Sequence, residues 1–166
     1  MKLVEAWKCD EDRAYELFQQ FPPEENGFEN AAAGMTLPEF RVYLHGLKDE
    51  QDEGKLRPGR VPQTKYVLVD DVGVCVGIFN LRHRLNEHLR QGAGHIGYGI
   101  APAFRGRGYA TEGLRLVLDR ARELGIREAY LSVHKDNLAS LKVQQRLGAR
   151  IDHEDEREYY TRIALA

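Results

Sequence analysis

The sequence predicts an α/β fold, a mixed sheet with helices on both faces. Three observations carry this: strand-period runs from Lys65 onward, a long amphipathic repeat after Gly108, and two capped helical segments before residue 50. At 166 residues the chain has the size of one domain, residues 1–166, able to bury a core without disulfides or metals. Hydrophobic residues supply 42% and charged residues 30%, the balance of a soluble globular protein. No apolar run approaches the roughly 20 residues of a membrane span. The opening MKLVEAWKCDEDR turns acidic early and does not read as a secretory signal, so a cytoplasmic location is expected, with no membrane partner. The net charge is -2, with acidic clusters at Asp10 to Asp12, Asp49 to Glu53 and Asp152 to Glu158 set against local basic spots at Arg82 to Arg84 and Arg105 to Arg107, which argues against a nucleic-acid partner. Cys9 and Cys75 stand far apart, outside any CxxC spacing, and read as packing residues.

The elements follow in order. KLVEAWK (Lys2 to Lys8) reads as a first strand. Asp10 caps a helix with Ala14, Leu17, Phe18 and Phe21 on one face, stopped by Pro22 and Pro23. PPEENGFENAAAG, rich in breakers, reads as irregular. Thr36 and Glu39 stand at capping-box spacing, with Pro38 early and Phe40, Tyr43, Leu44 and Leu47 at helical spacing behind them. Lys48 to Gln63 reads as an exposed connection. KYVLVD, a DDVG turn and VCVGIFNLRH form an antiparallel hairpin, and the polar RLNEHLRQGAG reads as a loop. HIGYGI (His95 to Ile100) is a strand ended by Pro102. Ala110, Leu114, Val117, Ala121 and Leu124 then recur at steps of four and three, with Gly125 as the stop. EAYLSVHK is a strand, DNLASLKVQQRLG a helix capped by Asp136 or Asn137, and the tail gives one or two closing strands.

The stretch RGRGYATEG, Arg105 to Gly113, carries the chemistry. A helix N-terminus presents unpaired N–H groups and the positive end of the helix dipole, so a glycine turn leading into one can hold phosphate oxygens. Gly106 and Gly108 let the backbone approach a ligand, and Arg105 and Arg107 add charged donors. The turn suits a diphosphate. No GxxxxGK[ST] is present, and Thr111 stands where a dinucleotide fingerprint has its third glycine. Two glycines in a solvated turn flanked by surface arginines is the plainer alternative. The preceding strand carries Gly94, Gly97 and Gly99, which mark close approach to its backbone. A strand with open backbone groups running into a phosphate-binding helix start fits coenzyme A, a polar amide arm joined to a diphosphate.

Arg105-Gly106-Arg107-Gly108-Tyr109-Ala110 is similar to the R/Q-x-x-G-x-G/A signature of the GNAT acetyltransferase superfamily, and IGYGIAPAFRGRGYATEGLRLVL resembles its strand, pyrophosphate loop and helix. DNLASLKVQQRLGA resembles the N-x-x-S helix of the same family. The stronger match runs from about Val67 to Ala149; more loosely the chain looks like uncharacterised bacterial acetyltransferases. The resemblance implies a GNAT-like, mostly antiparallel central sheet with splayed central strands. It divides the chain into an acceptor-side part (1–64), an acetyl-CoA-binding core (65–149) and closing strands (150–166). It also implies that Arg105, Gly106, Arg107, Gly108, Tyr109 and Ala110 wrap the diphosphate of acetyl-CoA, the co-substrate. The backbone at Ile100 pairs with the pantetheine arm, and Asn137 and Ser140 lie beside that arm and the sulfur. Asn137 serves equally as a plain helix cap.

The expected reaction is acetyl transfer to a primary amine of a small molecule, peptide or protein. Roughly one lysine-type amine in a thousand is neutral at pH 7, so a base helps. His95 stands where many relatives reading E-I-G-Y carry glutamate, which makes it the candidate base; a histidine bonded locally in the strand is the alternative. The family's acid tyrosine is replaced by Gln144, leaving Ser140, Tyr159, Tyr160 or water. A main-chain N–H near Tyr98 to Ile100 meets the oxyanion. His83 and His88 lack metal-site spacing, and no metal is expected. Glu24, Glu25 and Asp49 to Glu53 border the acceptor side and would suit a cationic amine. Homodimerisation is common in the family, with no interface specified here. The missing tyrosine and the exchanged glutamate favour a second class, a catalytically silent acyl-CoA sensor.

Overall fold

A computed structural model describes residues 1–166. Strand β1 (Lys2–Glu5) ends three residues earlier than expected, in a 3-10 turn at Ala6–Lys8 closed by the Cys9 N–H on the Ala6 carbonyl at 3.0 Å. The turn brings Asp10 into place as the cap of α1 (Glu11–Phe18), its carboxylate accepting from the Arg13 N–H at 3.0 Å. The breaker-rich stretch is not wholly irregular: it holds a small hairpin, β2 (Glu24–Glu25) and β3 (Phe28–Glu29). Asn26 and Gly27 sit at φ 51° and 82°, the paired positive angles of a type I′ turn, for which Asn-Gly is the favoured dipeptide. Helix α2 (Leu37–Gly46) starts on the expected capping box, with the Thr36 N–H on Glu39 Oε2 at 2.7 Å.

The connection ahead of β4 (Gln63–Val69) contains two 3-10 turns, Asp49–Gln51 and Glu53–Lys55. Then come β5 (Cys75–Arg82), α3 (Glu87–Gln91), β6 (Ile96–Ile100), α4 (Tyr109–Glu123), β7 (Glu128–His134), α5 (Leu138–Arg146), β8 (Arg150–Glu154) and β9 (Glu158–Ala164). The polar stretch expected as a loop folds into α3 because Asn86 caps it, accepting from the Leu89 N–H at 2.9 Å. Its five residues bury no side chain, so no apolar period announced it.

Every ladder is antiparallel; apart from the β2–β3 hairpin the strands form two larger sheets, ordered β1-β4-β5-β6 and β7-β9-β8. The sheets touch through one isolated bridge, Gly94 to Leu131, beside which the His95 N–H donates to the Tyr130 carbonyl at 2.7 Å. Beyond that point β6 and β7 part, the splay that the resemblance implied. Helix α4 lays Leu114, Val117, Leu118 and Ala121 against one face, over Leu68, Phe79 and Leu81. Helices α1 and α2 lay Leu17, Phe18, Phe40 and Leu44 on the other, against Val67 and Ile78. Each fully buried Leu or Phe contributes about 1.5–3 kcal/mol. No helix is long and apolar enough to cross a membrane.

Candidate active site

A cavity of about 1490 Å³ opens where β6 and β7 part. This exceeds the roughly 300–1,000 Å³ of a pocket for one drug-sized ligand, so there is room for two molecules. Ile96 to Ile100 form one wall and Ser132 and Val133 the other. Arg105, Gly106 and Gly108 to Thr111 close one end, Arg107 standing outside the lining, and Asn137 and Ser140 at the start of α5 lie beside it. The β2–β3 hairpin roofs the gap. A Cβ on Gly99 would stand 2.8 Å from Phe21 Cε1 and 3.4 Å from Phe28 Cδ1, and one on Gly27 would stand 3.2 Å from His134 Nε2. The strand glycines therefore make room for aromatic rings packed on their face of β6.

In the turn, Gly106 and Gly108 adopt φ 75° and 82°, the left-handed region that favours glycine. Gly108 is the N-cap of α4 and supplies no side-chain cap. The helix's own ladder starts with the Glu112 N–H on the Gly108 carbonyl at 3.2 Å, and the N–H groups of residues 106 to 111 meet no acceptor in the protein. Six consecutive open amides stand at the positive end of a 15-residue helix, an arrangement whose chemistry suits an anion. The two arginines differ. Arg105 turns inward, its Nε donating to the Ile100 carbonyl at 2.9 Å and its Nη2 to Glu25, so it braces the turn. Arg107 lies over the Phe104 ring at 5.7 Å and pairs with no carboxylate.

Along β6, the Ala101 N–H on the Val76 carbonyl and the Arg82 N–H on the His95 carbonyl fix the alternation. The His95 carbonyl and the main-chain groups of residues 97 and 99, with the Ala101 N–H, face β5, and those of Ile96, Tyr98 and Ile100 face the gap. The Ile100 carbonyl is taken by Arg105, which leaves its N–H for a ligand. The side chain of Tyr98 stacks on Phe79 at 5.3 Å, and its hydroxyl stands 2.6 Å from Ser140 Oγ. Burial pushes the Tyr98 phenol above its ordinary value, so it keeps its proton. Sequence reasoning had named Tyr98 only for its backbone; its partner lies 42 residues away, a pairing no local period reveals. Asn137 does cap α5, accepting from the Ser140 N–H at 3.3 Å, and also lines the cavity.

Several expected roles do not fit. His95 is 6% exposed and is not among the cavity-lining residues. Its Nδ1 accepts the Tyr130 N–H at 2.9 Å, which places the proton on Nε2 and leaves no basic lone pair. Burial, followed by Arg82, Arg90 and Arg162, holds its pKa down to about 4. His95 therefore joins the two sheets and does not stand ready as a base. Tyr160 donates to Asp155 Oδ2 at 2.7 Å and Tyr159 lies under Lys135, both away from the cavity. Gln144 is buried and accepts from Thr161 Oγ1 at 2.6 Å. His83 bonds Thr64 Oγ1 at 2.8 Å, while His88 reaches the cavity without it. No three His, Cys, Asp or Glu side chains converge as a metal site would need. The acidic residues of the acceptor side are engaged: Glu25 by Arg105, Glu24 by the Gly27 N–H, Glu50 by Gln63, Asp49 by Lys55 and Glu53 by Arg84.

The buried His95 carries a pH prediction. The unfolded chain's histidine takes a proton near pH 6.5, and the folded one resists until about pH 4. Its stabilising contribution is full above about pH 6.5 and is lost as the pH falls toward 4. His95→Gln, which can still accept from the Tyr130 N–H, should show a flatter melting-temperature profile across that window. Equal slopes in the two proteins would remove the assignment.

Comparison with known proteins agrees with this geometry. The family described as acetyltransferase (GNAT) domain matches residues 5–150. A putative GNAT-family acetyltransferase from Bordetella pertussis superposes with a TM-score of 0.67 at 21% identity, covering 98% of this chain and 94% of that one. The N-acetyltransferase PseH of Campylobacter jejuni gives 0.66 at 17%, covering 99% and 98%. A spermidine N-acetyltransferase chimera from Vibrio cholerae and hSSAT gives 0.66 at 16%, covering 99% and 95%. In sequence, 127 residues are 28% identical to an alanine–tRNA ligase of Gluconobacter oxydans; the match takes in 72% of this chain and 13% of the ligase, so the chain spans a small part of that relative. With a family match over most of its length and a run of open amides at the end of a split sheet, the chain belongs to the GNAT acetyltransferase family.

Proposed function

We propose that the protein is an acetyl-CoA-dependent N-acetyltransferase that moves an acetyl group to a primary amine by direct attack, with residues 1–64 on the acceptor side, 65–149 as the coenzyme A core and 150–166 closing one unit. The observation that carries this is the run of six unmet amides at residues 106 to 111, opening into the gap between β6 and β7. These amides and Arg107 would hold the diphosphate, the Ile100 N–H the pantetheine arm, and Asn137 and Ser140 the wall beside the sulfur. The open N–H group of Tyr98 would meet charge developing on the acetyl oxygen. The departing thiolate needs a proton, and the Tyr98–Ser140 hydroxyl pair offers one from the cavity wall.

The sensor reading is favoured by one observation: Gln144 stands in the position of the family's acid tyrosine and is bonded to Thr161. A thiol-release assay with acetyl-CoA and an amine panel separates the two, since thermal stabilisation by acetyl-CoA without turnover on any amine would leave the sensor. Tyr98→Phe should lower kcat about ten-fold or more with coenzyme A affinity kept, as expected for loss of a proton donor. A rate equal to that of the parent protein would remove Tyr98 from the mechanism.

A further inference from the structure

We infer that the acceptor amine carries an anionic group, a carboxylate or a phosphoryl group, received at the end of the cavity remote from the glycine turn by Lys65, Arg82 and Arg60. This rests on the transferase reading and names its acceptor class.

Lys65 of β4 lies opposite Asn80 of β5, which lies opposite Gly97 of β6, so the three form a row across the sheet on the face covered by α1 and α2. Gly97 has no side chain, and the row therefore leads from the edge of the gap straight to Asn80 and Lys65. Gln63 and Arg82 form the next same-face pair along the ladder. All of them, with Arg60, line the cavity. Two inter-strand spacings, about 10 Å, separate the β6 edge from the Lys65 backbone. With the lysine stem extended toward the gap, an amine and an anionic group only a few bonds apart span the interval.

The charges at this end are not balanced. Burial holds the Lys65 ammonium below its ordinary pKa, and burial followed by Arg60 does the same to Arg82. Neither forms an ion pair; Arg82 makes a hydrogen bond from Nη1 to the Gly94 carbonyl at 3.1 Å. The carboxylates whose charge reaches Lys65 are Glu50, bonded to Gln63 at 2.7 Å, and Glu29 on the exposed side of β3. Lys65, Arg82 and Arg60 thus form no ion pair with Glu50 or Glu29, Glu24 holds the Gly27 N–H, and Glu25, Asp49 and Glu53 are paired with Arg105, Lys55 and Arg84. A positive end in a partly dry cavity favours an anion there and disfavours a polyamine. Between that end and the gap stands the Asn80 carboxamide. Its Nδ2 donates to Gln63 Oε1 at 2.9 Å, and its buried Oδ1 has no donor in the protein. An acceptor without a partner at this place suits an amine N–H.

The test uses matched amines: α-amino acids, their carboxamides, aminoalkylphosphonates and spermidine, with acetyl-CoA and thiol release. At least one carboxylate or phosphonate compound should exceed its neutral counterpart about ten-fold or more in kcat/KM. In Lys65→Met and Arg60→Gln that preference should collapse, while stabilisation by acetyl-CoA shows that both variants fold. The relative rates of the carboxylate and phosphonate series distinguish the two anions. Preference for carboxamides or spermidine, or a preference unchanged in both variants, overturns the inference and leaves the transferase reading standing. Absence of turnover on every amine, with acetyl-CoA still stabilising the protein, sinks the transferase reading instead. The anion end is then read by binding alone: amino acids must stabilise the coenzyme A complex more than carboxamides do, and lose that advantage in Lys65→Met, or the inference falls too.

Discussion

Gly108→Glu should abolish acetyl-CoA binding, lowering affinity about a hundred-fold or more, in a protein that still folds. Gly108 opens α4 at φ 82°, and a Cβ there would meet nothing within 4 Å. Room is therefore available, and the cost to the fold is the left-handed backbone, roughly 1–2 kcal/mol. The functional loss has a different source. A carboxylate at the N-cap reaches the same amides that a diphosphate needs, satisfies some of them, and repels a second anion. Gly108→Ala is the control, sharing the backbone strain without the charge, and should keep most of the affinity. Calorimetric titration with coenzyme A reads both; unchanged affinity in the glutamate variant would remove the turn from the site.

Gly94→Ala should be the most destabilising single change near the cavity, about 3 kcal/mol or more, or enough to prevent folding. The added Cβ would stand 2.2 Å from the Tyr130 carbonyl oxygen and 2.5 Å from its carbon. Both are main-chain atoms of β7, so no rotamer can relieve the contact, and moving the strand breaks the Gly94–Leu131 bridge. Gly106→Ala separates the two causes of strain. Its φ of 75° resembles the 69° of Gly94, yet nothing lies within 4 Å of its Cβ, so it should cost only about 1 kcal/mol. Thermal or denaturant melts compare the pair, and equal losses would show that the sheets are not held at this point.

What the sequence discloses follows the range of the forces involved. Local signals were legible: the Asp10 cap, the Thr36–Glu39 box, the α4 repeat and the glycine turn each depend on residues a few places apart. The β2–β3 hairpin was legible only at its turn, because two-residue strands show no period, although Asn26-Gly27 names the turn type. The role of His95 depends on the Tyr130 N–H, 35 residues on, which fixes the tautomer. Its place along the strand was readable; the partner that removes its lone pair was not. The acidic residues of the N-terminal part mislead in the same way. Their number is visible in the sequence, but their engagement by Arg105, Lys55 and Arg84 appears only on folding, and the proposed anion-bearing acceptor follows from that engagement.

The parting of β6 and β7 makes an opening with linings from both faces of the sheet, Tyr98 and Ser140 on one side and Lys65 and Asn80 on the other. Neither cysteine reaches it, and burial pushes the Cys9 thiol up to about 12 and the Cys75 thiol upward as well, so no ready sulfur nucleophile waits there. On the proposed reading the acyl unit never rests on the polypeptide. Donor and recipient would then have to be resident together in the slit, with the hand-over made in a single encounter.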